Sequence, residues 1–311
     1  MEEDRYFELT RSLLGTQLRA RGHSESHKKA LEIADRLLTT GVYLPEERLE
    51  ALKEVTQNDL RTFKADLVRQ NVRALAFGNL EQKEASLLAV QVKAQSSSTS
   101  LPAYLGREGS YVFQTSGGLT AHTVLNRYEM GLSTPQRLAA AVMLDILLQN
   151  QVFEELRNKQ QLGYYATAFL DTRFHHLAME VLVQGAELSP PEMDARISAF
   201  LKDFNDQLWF MDDAALSNVA NSASGLLLSP QTFAERRNCL WPHVVSADFQ
   251  FSELAQAAAA LPQVTKADLV QALESLLQDT EVLSVQVFAG AVEFSERQAV
   301  ALDYFQTSSL V

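Results

Sequence analysis

Two hydrophobic rhythms divide the chain. Positions 177, 179, 181 and 183 are Leu, Met, Val and Val, with Ala178 and Glu180 between them, a period of two that puts one apolar face on a strand. Alternation or a short apolar run marks further strands at 111–115, 124–130, 164–169 and 282–289, with 164–169 and 177–183 an antiparallel pair. Helical spacing takes over elsewhere. Pro135 follows Ser133 and Thr134 and opens a long helix through Leu138, Val142 and Ile146 to Arg157, whose extra leucines predict burial on more than one side. Helices are expected again at 190–208, 214–227, 230–241, 251–261 and 266–277. Strands grouped apart from a run of helices specify an α+β domain, with a mainly antiparallel sheet covered by helices on one face.

A repeat organises these elements. Val55-Thr56 followed by Asp59-Leu60 recurs as Val264-Thr265 followed by Asp268-Leu269, an offset of 264 − 55 = 209 residues. In each copy the threonine is a helix N-cap with an acid three residues on. A helix through Leu60, Phe63 and Leu67, or through Leu269, Leu273 and Leu276, then leads to an apolar strand closed by glycine, 72–77 before Gly78 and 282–289 before Gly290. The first copy meets its closing strand by residue 78 and so lacks its own front half. Polar, small residues at 95–101 form the best linker. Residues 1–97 are expected to be the tail of one domain, 98–104 a linker and 105–311 a complete second domain, the whole being one piece of a longer protein.

Composition narrows the function. The 311 residues carry 27 Lys+Arg and 39 Asp+Glu, a net charge of −12, which disfavours nucleic acid and acidic membrane surfaces as partners. One cysteine, Cys239, excludes an internal disulfide and a Cys-based zinc cluster, and it has no evident base partner. The stretch that starts Met1-Glu-Glu-Asp has no basic n-region and no apolar h-region, and no run approaches the length that spans a membrane.

Few residues offer chemistry. His23 and His27 have the i, i+4 spacing of a helical zinc pair, but Ser24 stands where a catalytic glutamate follows the first histidine. They read as exposed polar residues before a helix capped by Ser24 or Ser26; a separate metal site would need a third ligand. His175 and His176 lie at a strand, where neighbours point to opposite faces. Neither a nucleophile elbow nor a phosphate-binding glycine loop occurs. What remains is Leu156-Arg157-Asn158-Lys159-Gln160-Gln161-Leu162-Gly163-Tyr164-Tyr165, between the long helix and a strand. Arg157 suits the last helical turn, Gly163 a sharp turn of the chain, and Tyr165 a structural place in the strand.

That segment, with the helix before it and the strand pair after it, resembles the Leu-Arg-x-x-x-Gln-Leu-Gly-Tyr stretch in the C-terminal half of the inverzincin metallopeptidases of family M16, the pitrilysin and insulysin type. The resemblance covers most of the chain and implies four related α+β domains, arranged as two halves around a chamber. Zinc is held in the first domain by a His-x-x-Glu-His helix. The present chain has no His-x-x-Glu-His. The resemblance therefore implies a non-catalytic C-terminal half of a zinc endopeptidase, holding no metal itself, inactive alone and partnered by the catalytic N-terminal half and a peptide substrate.

Carried over by motif, Arg157 and Tyr164 bind substrate across the chamber, and Tyr164 donates a hydrogen bond to the oxyanion or substrate carbonyl. Gly163 keeps the backbone clear beside Tyr164. The bacterial processing enzymes of the family, including the protease of pyrroloquinoline-quinone biosynthesis, are the implied source, soluble in cytoplasm or periplasm. An inactive scaffold or partner subunit with the same fold is the alternative.

Overall fold

The computed structural model describes residues 2–22, 25–67, 73–91, 103–105, 109–116, 120–229, 232–246, 249–278 and 282–290. In chain order the elements begin with helices α1 (Glu2–Gly22), α2 (Ser26–Leu38), α3 (Pro45–Glu54), α4 (Gln57–Leu67) and α5 (Gln82–Gln91). Strands β1 (Tyr111–Ser116) and β2 (His122–Leu132) precede α6 (Pro135–Gln151), which runs straight into a π-helix, Val152–Lys159. Then come β3 (Tyr165–Arg173), β4 (His176–Gly185), α7 (Pro190–Trp209), α8 (Asp213–Leu228) and α9 (Phe233–Val245). Helix α10 (Glu253–Ala260), a 3-10 turn at Leu261–Gln263, α11 (Lys266–Leu277) and β5 (Val282–Phe288) complete the order. Every element expected from residue 111 onward is present, with ends moved by a few residues. Among the described residues, no helix is long and apolar enough to cross a membrane.

Tertiary contacts divide the chain into two units, one of residues 1–24, 39–103 and 231–249, the other of 25–38, 104–230 and 250–311. These units differ from the expected division in two places. Residues 25–38 join the later unit because α2 turns Ala30, Ile33, Ala34 and Leu37 onto the sheet and buries them. Residues 231–249 join the earlier one, where the Arg73 guanidinium donates to the Val244 carbonyl at the end of α9 (3.1 Å) and Phe233 packs on Phe77. The expected linker lies almost wholly outside the described residues. The expected strand at 72–77 is also corrected: residues 73–77 carry no regular secondary structure and pair with no strand among the described residues.

The repeat is visible in atomic detail. Thr56 N–H donates to Asp59 Oδ2 (2.8 Å) and Asp59 N–H to Thr56 Oγ1 (3.3 Å); the corresponding distances at Thr265 and Asp268 are 2.7 and 3.3 Å. Identical caps carry different packing. Leu269 is fully buried in its unit, whereas its counterpart Leu60 is 50% exposed.

In the later unit the sheet order is β1-β5-β2-β4-β3, with β1 parallel to β5 and all other pairs antiparallel. Helices α6, α7 and α11 cover one face over a continuous core that includes Val124, Met179, Val181, Leu144, Phe200 and Leu273. The other face is not left to solvent. Helix α2 lies on β2, β4 and β5, and the buried Thr123 hydroxyl donates to Ser26 Oγ at its first turn (2.7 Å). Covering both faces forces polar residues inward. Arg127 is fully buried; it pairs with Glu129 (2.8 Å), Glu180 (2.6 Å) and Asp171, while Arg173 holds Asp171 from the other side (2.7 Å). Burial raises the pKa of Glu180 and the nearby Arg127 charge opposes it; among the described residues Glu180 Oε2 has no hydrogen-bond partner.

Removing one member of such a cluster strands the others in a low dielectric. Arg127→Met is expected to destabilise the later unit by about 3–5 kcal/mol in urea denaturation, and a loss below 1 kcal/mol would contradict a structural role for the pair network. Asp145 on α6 offers a pH test. Burial pushes its carboxyl up to about 6, against the opposing Leu170 backbone N–H, and its Oδ1 has no hydrogen-bond partner among the described residues. Because the folded state keeps this proton longer than the unfolded one, stability from this group falls as pH rises from about 4 to about 6. Asp145→Asn is expected to gain on the wild type across that window, and parallel pH–stability curves would refute the assignment.

Candidate functional site

The motif residues are presented by a change of helix type. Helix α6 becomes a π-helix at Val152, with Gln160 N–H donating to Glu155 O (2.9 Å), the i to i−5 pattern. Val152 and Leu156 stay buried in the core, so Phe153 and Arg157 stand on the outer face. Their pairing is direct. The Arg157 Cζ lies 4.8 Å from the Phe153 ring centroid and 5.0 Å from that of Tyr164, both cation–π distances. Among the described residues, no hydrogen bond or ion pair engages the Arg157 guanidinium or the Tyr164 hydroxyl, and Tyr164 is 85% exposed.

Gly163 serves a different purpose from the sharp turn expected of it. The left-handed step is taken by Gln161 (φ 53°), and Gly163 is required for contact. A Cβ on Gly163 would sit 1.9 Å from the Gln184 carbonyl oxygen, and one on Gly185 would sit 2.1 Å from the Leu162 carbonyl oxygen. Two glycines therefore let the loop before β3 lie backbone to backbone on the end of β4. No spacing in the sequence links positions 163 and 185, so this partner was not visible there.

Beside Tyr164 opens a cavity of about 810 Å³ lined by Glu25, His27, Arg157, Tyr164, Tyr165 and Gln184. His27 is the unexpected member. Instead of being an exposed residue ahead of a helix, it lies in the first turn of α2 with its side chain 15% exposed. Its Nδ1–H donates to Gln184 Oε1 (2.7 Å), its ring stacks on Tyr165 (4.9 Å), and its Nε2 is 3.4 Å from Glu25 Oε2. Tyr165 is thus more than a strand residue. His23 lies outside the described residues. These groups do not form a zinc centre, since one imidazole and one carboxylate fall short of three protein ligands and no third joins them among the described residues of this unit.

Other residues singled out in the sequence lie elsewhere. His175 occupies the β3–β4 turn, His176 packs on Tyr104, and Cys239 is a partly exposed residue of α9. A second cavity of about 590 Å³, floored by Met130, Ala140 and Val264 with Arg137 and Asp268 among its lining residues, holds none of the motif.

Residues 143–241 match the family model described as PQQ synthase PqqF-like, C-terminal lobe domain 4. A nardilysin-like protein of Arabidopsis thaliana is 24% identical over 287 residues, covering 84% of this chain and 28% of that protein. The structure superposes on pitrilysin with a TM-score of 0.79 at 18% identity, over 94% of this chain and 32% of the other. This chain is a relative of the C-terminal half of the M16 inverzincin peptidases. A peptidase M16 inactive domain from Pseudomonas fluorescens shares the fold with a TM-score of 0.63 at 13% identity, over 93% of this chain and 71% of that one. The chain spans just over a quarter, 28%, of the curated M16 relatives it matches first.

The close approach of the two glycines sets a test. Gly163→Ala forces the loop off β4 and is expected to cost about 1–3 kcal/mol or more in stability. It should also displace the Tyr164 ring from Arg157, visible in a crystal structure of the variant. An unchanged loop position would show that the contact tolerates a methyl group.

Proposed function

We propose that this chain is the non-catalytic C-terminal part of an M16 zinc endopeptidase, forming part of the wall of its substrate chamber and binding the peptide through Arg157 and Tyr164. One observation carries the reading: an arginine and a tyrosine, fixed against each other by ring contact, turn unengaged polar groups toward a cavity of peptide size. Zinc, and the base that activates water, belong to the catalytic half, because the residues of this cavity do not make a zinc set. The chain's own contribution is electrostatic. The planar Arg157 guanidinium presents donors that hold a substrate carbonyl in a fixed direction. Tyr164 donates its phenolic hydrogen to the carbonyl oxygen that gains negative charge as the peptide bond is attacked. Neither residue forms a covalent bond to the substrate, and both are in place before it arrives.

The PqqF-like match over residues 143–241 favours a processing peptidase of that type, with a peptide precursor as substrate. The likeness to the M16 domain named inactive supports a second reading, a partner subunit that shapes the chamber without binding the reacting bond. Tyr164→Phe in the complete protease separates the two. The first reading expects turnover to fall about a hundredfold or more with zinc content and melting temperature unchanged; unchanged turnover favours the second.

A further inference from the structure

We propose that His27 is a positioning residue for Tyr164, an inference that rests on the reading of Tyr164 given above. The geometry of three contacts supports it. Helix α2 is seated on the sheet by Ile33, Ala34 and Leu37 and by the Thr123 to Ser26 hydrogen bond, so its first turn has a fixed place. From that place His27 reaches two strands at once. Its Nδ1–H holds the Gln184 side chain on β4, and its ring lies flat on Tyr165, the first residue of β3 and the chain neighbour of Tyr164. The backbone of Gln184 is also what Gly163 packs against.

The loop carrying Tyr164 is therefore gripped on both sides. Glycine contact sets how closely 162–163 lies on 184–185, and His27 ties the Tyr165 ring to the side chain of Gln184, its register partner across β3 and β4. A shift of about 1 Å in a group that must meet a substrate oxygen can cost about a hundredfold in rate, so a ring contact next to Tyr164 bears directly on turnover. Histidine meets both demands at once: alanine supplies neither the ring nor the donor, and phenylalanine supplies only the ring. Glu25 Oε2 lies 3.4 Å from Nε2, the ring nitrogen that does not face Gln184.

A double-mutant cycle in the complete protease tests this, because a residue acting through Tyr164 has nothing to act on once the hydroxyl is gone. His27→Ala is expected to lower kcat about tenfold with KM within about twofold of wild type. In a Tyr164→Phe background the same change should alter kcat by less than about twofold. His27→Phe, which keeps the stack, should recover part of the loss. Multiplicative losses in the double variant, or unchanged kcat in folded His27→Ala, overturn the proposal; if His27→Ala does not fold, the cycle is run with His27→Phe on the same criteria. If Tyr164→Phe alone leaves turnover unchanged, the proposed function falls, and hydrogen exchange in this chain decides the positioning role separately. The Tyr164 and Tyr165 amides are then expected to exchange about tenfold faster in His27→Ala, and equal rates overturn it.

Discussion

Everything at the candidate site hangs from one place where backbone meets backbone, the contact of Leu162-Gly163 with Gln184-Gly185. A side chain on either glycine would push the loop before β3 away from the end of β4. The π-helical turn, the left-handed Gln161 and the exposed Tyr164 are all consequences of bringing the chain out of α6 and laying it against that strand. Core packing fixes the other end, since Val152, Leu156 and Leu162 are buried while Phe153 and Arg157 are turned outward. The site is a short outward excursion of a well-buried segment, held at both ends.

Two arginines show how the unit separates stability from binding. Arg127, buried between the sheet and its covering elements, is surrounded by the carboxylates of Glu129, Asp171 and Glu180, and its charge is spent on holding strands together. Arg157 faces the cavity with aromatic rings against it and no acid engaged among the described residues. Aromatic contact fixes the direction of a guanidinium without consuming its in-plane donors, so the second arrangement suits recognition and the first does not. The same division appears in the histidines: His176 packs on Tyr104 away from the motif, whereas His27 faces the cavity.

Much of this was legible in the sequence and some was not, for physical reasons. Period-two alternation at 177–183 and helical spacing after Pro135 mark elements whose burial repeats locally, so β4 and α6 could be read directly. The Thr-x-x-Asp caps at 56 and 265 are likewise local, and both formed. Contacts between distant positions leave no such trace. Nothing near residue 27 announces that Gln184 and Tyr165 lie beside it, and nothing in the α2 pattern says which sheet its apolar face meets. Gly163 was recognisable as special, both for a sharp turn and for a clear backbone, but a missing Cβ and a permissive φ look identical in a sequence, and the strand end it lies against could not be read there. A change from α- to π-helix is equally silent, since Val152 and Leu156 fit either period.

The central claim is that this chain shapes and binds while another polypeptide segment cleaves. Its most direct test is hydrolysis of an unstructured fluorogenic peptide by the purified chain, by a separately purified M16 half that carries His-x-x-Glu-His, and by the two mixed. No zinc-dependent hydrolysis is expected from this chain, little from the other half, and a rate in the mixture that rises with added chain and saturates. Hydrolysis by this chain alone, or a mixture no faster than the metal-bearing half, would contradict it.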